Sequence, residues 1–140
     1  MKWQSFFLFN GSILLKLIMG GIQMVVVESL SSCELVDDMK YVYNYRMLKD
    51  KLMLATEGDT IEVQTYGIEV ERQDISNGVL VGVERDCIKN ISPHRHKVHN
   101  LLKLLFNNSV SPVHLVDILG EYVDEYVTDY NEALDKIATN

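Results

Sequence analysis

Cysteine, basic charge and catalytic signatures are all scarce in this 140-residue chain, and each scarcity narrows what it can be. The two cysteines, Cys33 and Cys87, stand 54 positions apart with no metal-type spacing around them. Two reduced, partly buried thiols in a cytosolic protein are the expectation, rather than a thiolate metal site or a disulfide framework. Thirteen Lys and Arg against twenty Asp and Glu give a net charge of −7. Phosphate backbones and anionic lipids attract positive surfaces, so nucleic acid is not expected as a partner. No G-x-S-x-G, glycine-rich phosphate loop or Cys/His pair occurs, and Glu69, Glu71 and Asp124-Glu125 are carboxylates without a partner at an informative spacing. Neither an enzyme nor a cofactor is expected. What is present is an ordinary globular composition, 47% apolar and 24% charged, in a length that suits one domain with a real core.

Residues 1–23 differ from the rest. Lys2 and an apolar stretch resemble a signal peptide, but Asn10, Gly11 and Lys16 interrupt it and no A-x-A-like cleavage site follows. As a membrane span, the stretch would place Lys16 near the bilayer centre at a cost of about 2.5–3.5 kcal/mol. A third reading comes from the codons: Gly20-Gly21 put a G-rich tract just ahead of the ATG of Met24, where a bacterial ribosome-binding site belongs. All acidic residues lie after Met24. The expected organisation is therefore an upstream extension over 1–23 (or a membrane anchor, if that segment is translated), one domain over 24–130, and a tail over 131–140.

From Met24 the pattern is strands first. Lys40–Leu48 alternates, with Tyr41, Tyr43, Tyr45 and Met47 on one face and Val42, Asn44, Arg46 and Leu48 on the other. "EGD" at 57–59 signals a turn, and Asn77-Gly78 signals a tight hairpin. Between them, Ile61, Val63 and Thr65 have one parity while Tyr66, Ile68 and Val70 have the other, a phase change beside Gly67 that predicts a β-bulge. Ser92-Pro93 and Ser111-Pro112 then open two helices as cap and first-turn proline. Val98, Leu101, Leu102 and Leu105 form the apolar stripe of the first. Leu115, Ile118, Leu119, Tyr122 and Tyr126 form that of the second. The short link over 108–111 favours an antiparallel helix pair, which must cover the sheet's apolar face. The fold class expected is α+β: an antiparallel meander of three to four strands over 24–91, followed by a two-helix antiparallel layer over 92–130 packed on one sheet face.

Two sets of residues stand out as sites. The start of the first helix carries Arg95, His96 and Lys97 behind Ser92, where carboxylates are the usual choice. With the free N–H groups of the first turn these residues make a candidate anion pocket, the bland alternative being exposed bases that answer an acidic protein. The second set is a candidate interaction surface: the tyrosine stripe Tyr41, Tyr43 and Tyr45, and the acidic face Asp117, Glu121 and Asp124. Core packing and ordinary solvation are the competing explanations. Metal is not expected. His96 and His99 are the only helix neighbours among His94, His96, His99 and His114, and they lack Cys or carboxylate companions.

The stretches "TYGIEVER" and "NISPHRHKVHNLLKLLFNNSVSPVHLVDILGEYVDEYV" resemble a family of small acidic proteins from spore-forming anaerobic bacteria, known as a domain of unknown function. The resemblance runs from about Met39 to Tyr130. It implies a cytoplasmic setting and carries over no activity, cofactor or catalytic residue. Function is therefore expected to be that of a small non-enzymatic cytoplasmic regulatory or protein-interaction module, acting on a protein partner or on a second copy of itself. The alternative is a small-anion or nucleotide-responsive binding protein using 92–97.

Overall fold

Alternating side chains and three two-residue turns, at 37–38, 57–58 and 77–78, build the long strands of the sheet. A computed structural model describes residues 8–9, 12–13, 16–19 and 22–138, with side chains over 24–137. Short strands β1 (Leu8–Phe9) and β2 (Ser12–Ile13) pair with each other. Then come β3 (Lys16–Met19), β4 (Ile22–Val36), β5 (Met39–Thr56), β6 (Asp59–Ser76) and β7 (Val79–Ser92). These five form an antiparallel meander in chain order, with β7 at one edge. Asn77 and Gly78 both have positive φ, +50° and +77°, the left-handed backbone that a two-residue hairpin turn requires. Helix α1 (Arg95–Asn107), a single 3₁₀ turn (Pro112–His114) and helix α2 (Leu115–Ala138) follow. The α+β architecture matches the expected fold class, with the four long strands β4–β7 leading into two helices packed on the sheet. The expected tail over 131–140 is helical as far as Ala138. The reading of 1–23 as an extension or anchor falls largely outside the described residues, and among those described no helix is long and apolar enough to cross a membrane.

Both helices lie on the face that carries Tyr43, Tyr45 and Met47 of β5 and Ile68 and Val70 of β6. With Val98, Leu101, Leu102 and Leu105 of α1 and Leu115 and Leu119 of α2, these make one buried cluster. The tyrosine stripe is thus core: the Tyr45 hydroxyl donates to the Val110 carbonyl at 2.9 Å, tying the strand to the link between the helices. Burial of the aliphatic members contributes about 1.5–3 kcal/mol each before entropy is subtracted.

The irregularity expected beside Gly67 is present, but on the other strand. β5 and β6 pair without interruption from Met39↔Ser76 to Thr56↔Asp59. The register shift lies between β6 and β7, where Tyr66 pairs Ser92 and Ile68 pairs Ile88, so the extra residues belong to β7. A Cβ on Gly67 would overlap the Ile88 carbonyl oxygen and the Cα of Lys89. Glycine is there to admit the bulged strand. The phase change within β6 has another cause: Val63 and Ile68 are both buried, but they belong to opposite faces.

Candidate functional site

The start of α1 is built by the end of β7. The bulge delivers Ser92 fully buried, and its hydroxyl accepts from the His94 N–H at 3.1 Å, so the helix proper starts at Arg95 rather than Pro93. The Ser92 hydroxyl also donates to Asp129 of α2 at 2.8 Å. Lys97 reaches both oxygens of the same carboxylate, at 2.8 and 2.9 Å. Burial pushes the Asp129 carboxyl upward, but the hydrogen bonds from Lys97 and Ser92 outweigh it and hold the group below its ordinary value. Lys97 is raised by its hydrogen bond to Asp129. The bases at this helix start therefore meet an anion from within the chain, and Asp129 is the residue that reading the sequence missed. It follows Tyr126 by three positions on the inward side of α2, in a stretch where the helix was expected to end.

The other members of the expected anion pocket remain at the surface. Arg95 donates to the Val27 carbonyl at 3.3 Å. The His94 and His96 rings lie 5.8 Å apart, and His99 Nδ1 lies 2.8 Å from Glu28 Oε1. With Tyr66 and Pro93 these residues line an open groove of about 560 Å³. His94, Asp129 and Glu132 bring one possible ligand atom each within 4.8 Å of one another. Asp129, however, is already neutralised by Lys97, and a cation would have to displace that ammonium group.

The sheet face away from the helices holds the second feature missed in the sequence. Arg46 pairs across the strands with Glu69 (3.4 Å) and Glu71 (3.2 Å), and Arg85 of β7 donates to the other oxygen of Glu71. Asn44 and Gln73 also donate to Glu71. Both carboxylates are buried. Burial raises Glu71, yet its two arginines more than offset this and hold it below the ordinary range. Burial dominates at Glu69, with Arg46 only partly opposing, and pushes it up to about 7. Cys87, opposite Glu69, is likewise pushed up to about 11 by burial, which keeps the thiol protonated at neutral pH. This ladder was legible in principle. Once the 57–59 turn is set, Arg46 must face Glu69 and Asn44 must face Glu71.

Of the expected interaction surface, Tyr43 and Tyr45 are buried, and the half-buried Tyr41 ring lies beneath Arg72. Asp117, Glu121 and Asp124 are all exposed on α2. The helix's inward stripe is Leu115, Leu119, Val123 and Tyr126, whereas Ile118 and Tyr122, assigned to it from the sequence, are more than a third exposed. Further round, Val116 (55% exposed) and Val127 (56%) also face solvent, so α2 is apolar on more than its packed side.

No curated protein and no solved structure matches the chain. Residues 24–125 match a family of unknown function, DUF6514, and the chain belongs to that family.

Proposed function

We propose that this is a small non-enzymatic regulatory module of the bacterial cytoplasm, working by protein–protein contact through the outer surface of α2. The observation that carries the reading is the exposure of Val116 and Val127 on the flank of a helix whose adjoining side is already anchored in the core. Aliphatic side chains left in water beside a row of carboxylates suit a contact surface. The absence of catalysis is part of the proposal. Its support is that Arg46, Glu69, Glu71 and Arg85 engage one another in ion pairs, while the Cys87 thiol is held protonated. The bacterial, spore-former setting rests on the resemblance of the Thr65–Arg72 and Asn90–Val127 stretches alone. Photo-crosslinking in cells tests the function. A photoreactive phenylalanine analogue at position 116 or 127 gives one defined protein adduct, and the same group at Lys103 on α1 gives none. Failure of both α2 positions to give an adduct rejects the reading.

A second reading has its own observation: Arg95 and His96 remain exposed on the groove beside the α1 start. If a small anion binds there, inorganic phosphate or a nucleotide at 100 times its Kd adds about 2.7 kcal/mol of stability. That gain disappears in Arg95→Ala.

A further inference from the structure

We infer that α2 receives a basic amphipathic helix from another protein and pairs with it as a two-stranded coiled coil, an inference that rests on the contact function proposed above. The first support is spacing. Val116, Gly120, Val123, Val127, Tyr130 and Leu134 follow one another at steps of four and three, and Ile137, 44% exposed, takes the next step. This is the heptad seam of a coiled coil, sustained along a 24-residue helix of about 36 Å. Core packing accounts for only part of it: Val123 and Tyr130 are half-buried against the chain's own fold, whereas Val116, Val127 and Ile137 stand in solvent and the most deeply buried leucines of α2, Leu115 and Leu119, lie off that line.

The second support is direction. Val127 and Asp129 are two residues apart, about 200° around the helix. Asp129 meets Lys97 of α1, so the seam lies on the flank turned away from α1. On that side α2 packs on β7, the edge strand of the sheet, and among the described residues no strand follows it. Room for a helix exists there. Gly120 adds a third support. Glycine is a poor helix former in the middle of a helix. A Cβ at Gly120 would meet nothing within 4 Å, so the chain's own packing gives no reason for glycine. A helix backbone approaching closely from outside does.

Charge selects the occupant. Asp117 and Asp124 directly border the seam, each one position after a seam residue, and Glu121, Glu125, Glu132 and Asp135 continue the acidic surface, with Lys136 the exception. Two copies of α2 lying antiparallel would set these aspartates against each other, in a chain whose net charge is −7. A helix with aliphatic seam residues flanked by lysine or arginine complements both features.

The test uses the full chain and a synthetic three-heptad peptide, with leucine and isoleucine at its seam and lysine at the flanking positions. A second peptide carries glutamate at those flanks. Isothermal titration is expected to show one-to-one binding of the lysine peptide and none of the glutamate peptide. The double variant Val116→Asp/Val127→Asp weakens binding about ten-fold or more, although it adds two negative charges. A purely electrostatic attraction would instead strengthen, and that result overturns the inference. Val116→Ser/Val127→Ser replaces the pair if the aspartates lower the melting temperature. Equal binding of both peptides, or binding of neither, also overturns it, as does a wild-type dimer in light scattering that Val127→Asp makes monomeric. Defined crosslinks at 116 or 127 without lysine-peptide binding would keep the contact function and reject the basic helix.

Discussion

The helix-covered face and the charge ladder on the far face solve burial in opposite ways, although the far face also buries Leu48 and Val63 further along the strands. Under the helices, Tyr45, Met47, Ile68 and Val70 meet leucines, and their stabilisation is non-directional and tolerant of geometry. On the far face, Arg46, Glu69, Glu71 and Arg85 are held by directional bonds whose value depends on every partner remaining. The alternation of the buried apolar face already specifies strand register, and the charge ladder adds particular cross-strand partners to it. A one-residue slip would move Arg46 off Glu69 and every neighbouring pair with it.

Removing one side chain from each face separates these solutions. Glu71→Ala takes the shared carboxylate from Arg46 and Arg85 and is expected to cost about 3–5 kcal/mol in urea denaturation. Ile68→Ala is expected to cost about 2–5 kcal/mol, the range for an aliphatic cavity. If the Glu71 variant is as stable as wild type, the ladder has no structural weight. The next effect depends on pH. Glu69 titrates at about 7 in the folded protein against an ordinary 4.5. The fold therefore binds this proton more tightly than the open chain does. The stabilising contribution is complete below pH 4.5 and is lost as the pH rises through 7. Glu69→Gln is accordingly expected to remove a loss of about 1–3 kcal/mol that wild type suffers between pH 5 and pH 8. Parallel pH profiles of the two proteins would discard the assignment. The smallest effect belongs to the helix layer: Gly120→Ala is expected to raise stability by about 0.5–1 kcal/mol, because nothing occupies the space beside it. A loss there would mean that the glycine serves the isolated fold after all.

Periodicity and turn chemistry made the helix-covered face readable in advance. Tyr43, Tyr45 and Met47 were placed on one face by simple alternation, and Val98, Leu101, Leu102 and Leu105 by the helical repeat. The far face was harder. Arg46 and Glu69 are 23 positions apart and become neighbours only through register, while the Glu71–Arg85 pairing depends further on a shift between Asp74 and Ile75 that no residue type announces. Asp129 is not legible in the sequence for a related reason. A basic helix start suggested an anion from outside, and only the packing of α2 across the end of β7 shows one supplied from inside. The apolar pattern puts Ile118 and Tyr122 on the inward side of α2, and the structure leaves them exposed because the helix carries more apolar positions than one side can bury.

The grip of Ser92 and Lys97 on Asp129 has a geometric consequence. Aliphatic burial alone holds a helix on a sheet by non-directional contacts, which resist a small roll about its axis less sharply than a hydrogen bond does. A carboxylate seated between a hydroxyl and an ammonium group cannot follow such a roll. Asp129 therefore acts as an index pin that sets the azimuth of α2, and with it the compass bearing at which Val116 and Val127 meet their surroundings.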